Sequence, residues 1–211
     1  MGEQAAAIVI APDGKRAFVC LNVANKIGIL TIDGQKVTYD KSMDIPSAFN
    51  PYNIDITPDG KYVIASNTGA QKNNADTEVI IEATGPHPHV VDLMTPGNGP
   101  EGFAIAPDGK TAAAPLLLGS GAKESDWFRT KNGELALMSV GPGGKLTVSA
   151  RALLGVLPEG VVYSPKGDYL YVGNYVDKDV QVFHVARDKL TEVGPRLKLP
   201  GQPASMRAPA R

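Results

Sequence analysis

A short segment that recurs four times constrains this chain more than any other feature. In each copy an apolar run ends in a Pro-Asp-Gly or Pro-Lys-Gly turn, and the turn glycines are Gly14, Gly60, Gly109 and Gly167. The intervals between these glycines are 46, 49 and 58 residues. A period of roughly 40 to 50 residues that holds several short strands is typical of a propeller blade. The repeat therefore predicts an all-β chain.

Each repeat has the residues for four antiparallel strands. In the turn after the first strand, Pro restricts the backbone angle φ, the Asp side chain hydrogen-bonds the backbone of a following residue, and Gly adopts φ > 0. β-branched and aromatic residues then dominate the second and third strands. We expect a single β-propeller domain over 1–211, with blades at about 5–48, 49–98, 99–156 and 157–200 and with 201–211 as the start of a closing strand.

The repeated turns are accompanied by Tyr171-Val172-Gly173-Asn174 at the end of a second strand and by Val180-Gln181-Val182-Phe183 in a third strand. In these features the chain resembles the YVTN-type β-propellers, which are related to the 6-phosphogluconolactonase-like propellers. The resemblance covers nearly the whole chain and implies a ring of seven or eight blades, of which this chain would supply four. The family includes lactone hydrolases, surface-layer proteins and binding proteins, so the resemblance defines the fold more narrowly than the activity.

Two hypotheses explain how such a ring would be completed. The segment 201–207 matches the beginning of a further first strand, yet the first repeat already has its own first strand at 7–11. Exposed sheet faces on the first and last blades would be unusual in a soluble protein. Either two copies form a homodimer with eight blades, or the chain is the C-terminal part of a longer protein and lacks N-terminal blades.

Composition excludes several classes of function. With 21 Lys+Arg against 22 Asp+Glu, the net charge of -1 gives no general attraction to nucleic acid. No run approaches the roughly 20 apolar residues of a membrane span, and no signal peptide is expected at the N-terminus. The single Cys20 cannot form an internal disulfide. The sequence does not indicate a cellular compartment, although the resemblance implies a periplasmic or secreted location for a longer protein that contains this chain.

The entrances to the first strands hold the main candidate site. Pro-Glu-Gly occurs twice, and it places Glu101 and Glu159 at equivalent positions of neighbouring blades, where we expect them to face the central axis. Tyr52 and Asn53 follow the proline of the preceding entrance. Two facing carboxylates bind a divalent cation such as Ca²⁺ or Mg²⁺, or supply a general base for catalysis. Alternatively, each Glu only bonds a backbone N–H in its turn.

The two longest loops, 66–77 and 118–133, are expected on the same rim. Insertions on a rigid scaffold often carry binding function. The only Trp, Trp127, lies in the second loop near Arg129, and the pair would stack on a ligand or fix the loop to its blade. Asn67 and Asn174 end second strands at this rim, as candidates for ligand binding or for turn capping.

Other chemistry has little support in the sequence. His87 and His89 are expected on the opposite rim, where we predict no metal site, and no nucleophile, phosphate-loop or zinc motif occurs. We therefore carry two functions forward. One is a scaffold that binds a small molecule or a protein through the long-loop rim, and the other is a lactonase-like hydrolase acting on a sugar lactone or other cyclic ester through Glu101 and Glu159. A quinone-dependent dehydrogenase is the least favoured function, because the sequence lacks the usual set of residues that bind the quinone cofactor.

Overall fold

The computed structural model describes residues 4–208, which form four antiparallel sheets, one for each repeat. We call them blades 1 to 4 in chain order. Blade 1 contains β1 (Ala5–Ile10), β2 (Arg16–Leu21), β3 (Lys26–Asp33), β4 (Lys36–Tyr39) and β5 (Ile45–Pro46). Blade 2 contains β6 (Pro51–Ile56), β7 (Tyr62–Asn67), β8 (Asp76–Glu82) and β9 (His89–Gly97). Blade 3 contains β10 (Ala104–Ile105), β11 (Thr111–Leu116), β12 (Glu134–Val140) and β13 (Leu146–Leu153). Blade 4 contains β14 (Pro158–Tyr163), β15 (Tyr169–Asn174), β16 (Asp179–Ala186), β17 (Lys189–Glu192) and β18 (Leu197–Lys198).

Each blade follows the strand order of a simple meander, which confirms the predicted class of a partial propeller. In blades 1 and 4 the fourth strand is broken into two pieces, and both pieces pair with the third strand of the same blade. The break in blade 1 is filled by a short 3₁₀ turn, Lys41–Met43. The first strands of successive blades contact one another, so they line the inner side of the arc.

The Pro-Asp-Gly turn forms as its residue types require. In blade 2 the backbone of Gly60 adopts φ 72°, a left-handed conformation that disfavours residues with a Cβ. The Asp59 carboxylate accepts hydrogen bonds from the Thr57 hydroxyl at 2.7 Å and from the Lys61 N–H at 3.1 Å. These bonds reverse the chain between β6 and β7, so that both strands can join one sheet.

Most of the apolar core lies between the blades, and a smaller buried cluster around Val19 and Leu21 belongs to blade 1 alone. Phe18 and Ile54 belong to the cluster between blades 1 and 2, Phe103 to that between blades 2 and 3, and Phe183 to that between blades 3 and 4. All four side chains are almost completely buried. Burying one such side chain stabilises a fold by about 1.5–3 kcal/mol. Neighbouring blades therefore stabilise each other.

The residues before the entrance prolines of blades 2, 3 and 4 have a left-handed backbone conformation and a shared kind of hydrogen bond. Asn50, Gly99 and Leu157 have φ of 58°, 62° and 53°, all in the left-handed region. The N–H of each donates a 2.9 Å hydrogen bond to a side chain of the preceding blade, which lies in the loop between the second and third strands or at the first residue of the third strand. The acceptors are Asn25 Oδ1, Asp76 Oδ2 and Ser120 Oγ. We call each such bond an entrance clamp, because it attaches one blade to the entrance of the next.

The segment after blade 4 forms no strand but packs along the inner side of that blade. Gly173 lies against Pro203, and Gly160 lies against Ser205 and Met206, so closely that a Cβ at either glycine would collide with the segment. Arg207 then reaches blade 2, where it donates hydrogen bonds to the Ile54 carbonyl at 3.2 Å and to Asn53 Oδ1 at 3.1 Å. No helix among the described residues is long and apolar enough to cross a membrane.

Candidate functional site

The three residues that follow the entrance prolines lie at irregular points of the first strands. The pairing of β6 with β7 shifts between Pro51 and Asn53, and the pairing of β14 with β15 shifts between Pro158 and Val161. Tyr52 and Glu159 lie inside these bulges. In blade 3, Glu101 lies between an isolated Pro100–Leu116 bridge and the start of β10. β-bulges commonly re-aim side chains next to functional sites.

These bulges bring the three side chains within electrostatic range of one another. Burial, and then the negative charge of Glu159, raises the pKa of Glu101 to about 7. Burial also raises the pKa of the Glu159 carboxyl. The pKa of the Tyr52 phenol is raised by burial first and then by the charges of Glu101 and Glu159. A carboxyl group that titrates near neutral pH can both accept and donate a proton under ordinary conditions.

The contact between blades 3 and 4 explains how the two carboxylates come together. Gly102 lies so close to the backbone carbonyl of Glu159 that any Cβ there would collide with it. The N–H of Glu101 donates a 3.1 Å hydrogen bond to the Pro115 carbonyl of the neighbouring strand. The glycine of Pro-Glu-Gly is therefore required for the close approach of two entrances, and the paired glutamates follow from that approach.

Loop 66–77 is fixed to the entrance of blade 3 by Asp76. Besides its bond to the Gly99 N–H, the Asp76 carboxylate accepts hydrogen bonds from the backbone N–H groups of Ala70 and Gln71. Burial raises the pKa of Asp76, and these three hydrogen bonds oppose the increase. Asp76 therefore shapes the loop from inside, and its oxygens are occupied.

Loop 118–133 is fixed to the entrance of blade 4 by Ser120, but its tip is open to solvent. The Trp127 side chain is 79% exposed, and its ring contacts Phe128 edge to face at 5.7 Å. Arg129 lies 3.8 Å from the exposed Glu124 carboxylate, an interaction that contributes little stability at the surface. Trp127 and Arg129 share the loop, but the structure gives no ring contact between them.

The three asparagine candidates have internal hydrogen-bond partners. Asn53 Oδ1 accepts from the Ile54 N–H at 2.8 Å as well as from Arg207. Asn67 is buried and donates to the Ala65 and Thr77 carbonyls, while its Oδ1 accepts from Ser47. Asn174 is also buried, and it bonds Gly155, Asp179 and Gln181. A ligand could bind Asn67 or Asn174 only by breaking these bonds.

His87 and His89 lie away from the glutamates. They line a cavity of about 340 Å³ between blades 1 and 2, together with Met43 and Ile45. Throughout residues 4–208, no group of three or more His, Cys, Asp or Glu side chains is placed to hold a metal ion. A cation between Glu101 and Glu159 would thus be bound by only two carboxylate groups from the described residues.

A second acid with an altered pKa was missed at the sequence level. Glu78 is completely buried in blade 2, and the Ser66 hydroxyl bonds its two carboxyl oxygens at 2.9 and 2.8 Å. Burial raises the pKa of Glu78 to about 8, against the opposing effect of the Ser66 bond. The equivalent positions in the other blades are Ile27, Leu135 and Val180. That contrast between repeats was a visible signal in the sequence.

Comparisons with known proteins agree with this architecture. Residues 1–76 match a family model described as "Lactonase, 7-bladed beta-propeller". No curated protein sequence matches the chain. Many solved structures do match, and they share its fold.

Three of these structures illustrate the range of similar proteins. A proposed 6-phosphogluconolactonase from Bacteroides fragilis has a TM-score of 0.80 at 19% identity, over 96% of this chain and 56% of that one. The periplasmic gluconolactonase PpgL of Pseudomonas aeruginosa has a TM-score of 0.67 at 15% identity, over 91% and 56%. The Cps50 (Swd1) β-propeller domain of Myceliophteria thermophila has a TM-score of 0.70 at 12% identity, over 95% of this chain and 61% of that one. The chain thus spans little more than half the length of the structures it resembles.

The fold and the entrance site define a partial β-propeller with a pair of carboxyl groups near its axis. The family-model match and the similar structures support the lactonase-like β-propeller family, the resemblance that the repeats had indicated.

Proposed function

We propose that this chain carries the axial site of a hydrolase that opens a sugar lactone or a related cyclic ester. The observation that supports this most directly is the approach of Tyr52, Glu101 and Glu159 from three successive blades, with the pKa of Glu101 raised to about 7. The similarity to structures described as gluconolactonases favours a lactone over other substrates.

The three side chains provide the groups that such a reaction needs. Ionised Glu101 takes a proton from a water molecule, whose oxygen forms a bond to the lactone carbonyl carbon. Tyr52 is protonated at neutral pH because an ordinary phenol has a pKa near 10 and the pKa of Tyr52 is raised further, so its O–H can donate a hydrogen bond to the developing oxyanion. When the ring C–O bond breaks, protonated Glu101 returns the proton to the departing oxygen. The product is an open-chain hydroxy acid.

The test is the rate of δ-gluconolactone opening at constant pH, corrected for the spontaneous reaction. Glu101→Gln should lower the enzymatic rate by about 100-fold or more, the usual contribution of a general base. Asp188→Asn is the matched control, because it removes an exposed carboxylate between β16 and β17 at the opposite rim. A chain with no rate above the spontaneous reaction, or a Glu101→Gln variant that retains full activity, would contradict the proposal.

A divalent cation is the other use of the same carboxylate pair. Ca²⁺ or Mg²⁺ would bind both groups in their ionised form and would lower their pKa values. Loss of lactone opening after treatment with a chelator, with recovery on adding back Mg²⁺ or Ca²⁺, would favour this role over proton transfer by Glu101. Activity that is insensitive to the chelator would favour proton transfer.

Binding without catalysis is the second candidate function, and the exposure of Trp127 on loop 118–133 favours it. An aromatic ring that projects from a fixed loop offers a stacking surface for a small molecule or a protein. Because Trp127 is the only Trp of the chain, its fluorescence would report such binding directly. Titration with gluconate or gluconolactone should change that fluorescence if the loop closes over the sugar, and an unchanged signal would place sugar binding elsewhere.

A further inference from the structure

Asp76 is the first residue of β8, and its side chain is almost completely buried at the end of loop 66–77. Its Oδ2 atom accepts a 2.9 Å hydrogen bond from the Gly99 N–H, and the backbone N–H groups of Ala70 and Gln71 donate to the same carboxylate. Gly69 packs so closely that any Cβ there would collide with this carboxylate. The Asp76 side chain therefore holds its own loop and the entrance of the next blade at one point.

Asn98 shows that the surroundings are oriented toward this carboxylate. The Asn98 amide is buried, and its Nδ2 donates to the Asn74 carbonyl at 3.1 Å and to Asp76 Oδ2 at 3.4 Å. Its Oδ1 has no hydrogen-bond partner among residues 4–208. Because an unpaired buried oxygen is unfavourable, the orientation of the amide is determined by its two acceptors, of which Asp76 is one.

Gly99 is connected to Glu101 through Pro100 alone, and this short connection is held to the neighbouring strand. The Gly99 carbonyl accepts a 2.9 Å hydrogen bond from the Leu117 N–H. The Glu101 N–H donates a 3.1 Å hydrogen bond to the Pro115 carbonyl. Since proline restricts its own backbone and that of the residue before it, a change in the position of Gly99 is transmitted to Glu101.

The entrance clamp of blade 3 differs from the other two in charge. Asn25 and Ser120 accept the equivalent hydrogen bonds with a neutral amide and a neutral hydroxyl, whereas the acceptor in Asp76 is a carboxylate. Hydrogen bonds to ionised acceptors are roughly twice as strong as those between neutral groups. Burial raises the pKa of Asp76 and so opposes its ionisation, which the three backbone N–H groups counteract. The ionisable clamp thus lies at the entrance that leads to Glu101.

We propose that Asp76 is a positioning residue for Glu101: by fixing Gly99, it keeps the Glu101 carboxyl half-buried at the axis and directed toward the reacting water. This role rests on the proposed function, in which ionised Glu101 takes a proton from water. Asp76 itself does not contact the substrate, because its oxygens are occupied by the N–H groups that it holds. Displacement of a catalytic group by about 1 Å can lower a rate by roughly 100-fold. Loss of Asp76 should therefore lower kcat through the geometry of Glu101 rather than weaken substrate binding.

Three variants of the full chain test this role. Asp76→Asn keeps the volume of the side chain but replaces one acceptor oxygen with an NH₂ group, which cannot accept a hydrogen bond. Asn98→Ala leaves the Asp76 charge in place and removes a hydrogen bond that orients it. Asn25→Ala is the matched control, because it removes the entrance clamp of blade 2 and leaves that of blade 3 intact. The measurements are the pKa of the Glu101 side chain by NMR titration, kcat and KM for δ-gluconolactone, and stability in urea.

We expect Asp76→Asn to lower the pKa of Glu101 from about 7 toward its ordinary value of 4.5, because water gains access to a carboxyl that is no longer held in place. In the same variant kcat should fall by about tenfold or more, while KM changes by less than about twofold. Asn98→Ala should have a smaller effect in the same direction, which loss of the Asp76 charge cannot explain, and it provides the test if Asp76→Asn does not fold. Asn25→Ala should lower stability and leave the pKa of Glu101 near 7.

An unchanged pKa of Glu101 in Asn98→Ala and in any folded Asp76→Asn chain would overturn the proposal, and so would an equal shift in Asn25→Ala. The pKa of Glu101 is measured without substrate, so the two proposals fail separately. A wild-type chain that does not open the lactone, but whose Glu101 pKa depends on Asp76, would reject the hydrolase and retain the positioning of Glu101. Lactone opening that depends on Glu101 but is unaffected by Asp76→Asn and Asn98→Ala would reject the positioning role and retain the hydrolase.

Discussion

Two acids in this chain, the fully buried Glu78 and the half-buried Glu101, share one cause of their raised pKa but differ in their surroundings. Glu78 lies inside blade 2 with no exposed surface, and its carboxyl group is hydrogen-bonded by Ser66. Glu101 lies at the entrance of blade 3, near Glu159 and Tyr52. Burial raises the pKa of Glu78 to about 8 and that of Glu101 to about 7. The comparison teaches that an altered pKa by itself does not identify a site, since only Glu101 has functional groups from neighbouring blades around it.

The largest expected effect comes from replacing the titratable carboxyl group of Glu78 with a neutral amide. The folded chain holds this proton up to about pH 8, whereas the unfolded chain releases it near pH 4.5. The contribution of Glu78 to stability is therefore complete below pH 4.5, and it declines by about 1.4 kcal/mol per pH unit until pH 8. Glu78→Gln should remove this decline, as measured by urea unfolding at pH 5 and pH 8.

Glu82→Gln is the control for that experiment, because Glu82 ends the same strand and is accessible to solvent. This control should leave the decline unchanged. Equal slopes in the wild-type and Glu78→Gln proteins would show that Glu78 is already ionised when folded.

Loss of the Ser66 hydroxyl should have the next largest effect. Ser66→Ala leaves the Glu78 carboxyl without this partner in a buried position, which costs about 1–3 kcal/mol of unfolding free energy. Ser139→Ala is the matched change at an exposed strand position and should cost much less. If both variants lose equally little stability at pH 6, the hydroxyl does not support the acid.

The smallest effect is expected at the entrance site. Glu159→Gln removes the charge that contributes to the raised pKa of Glu101, so this pKa should fall from about 7. Because burial is the larger cause, the fall should be less than about one pH unit. An NMR titration of the Glu101 side chain measures the change directly, with Asp188→Asn as the control. An unchanged pKa of Glu101 would mean that the two carboxylates lie too far apart to share a substrate.

The sequence was sufficient to predict the fold because the turn chemistry is local and repeated. The Pro-Asp-Gly residues determine a hairpin without help from distant contacts, and four copies imply four sheets. The equivalence of Glu101 and Glu159 followed from the same repetition. Their shared environment depends on how closely two entrances approach, which involves Gly102 and the backbone of another blade.

Other features depend on partners that a linear pattern does not reveal. The polar contacts of Asn67 and Asn174 come from residues up to 20 positions away, so binding and capping could not be separated beforehand. Leu157 has no sequence feature that predicts a left-handed backbone, since this conformation accompanies a hydrogen bond from its N–H to Ser120. Glu78 is the exception, because alignment of the repeats places this acid where the other blades have aliphatic residues.

The entrance clamps have a consequence for how such a site can evolve. Each clamp bonds the backbone N–H of the residue before the proline, so it places no demand on the side chain that comes after the proline. Tyrosine and two glutamates occupy that later position in blades 2, 3 and 4. Duplicated blades can therefore diverge at this one residue while their attachment is inherited unchanged, and new chemistry at the axis can arise by single substitutions.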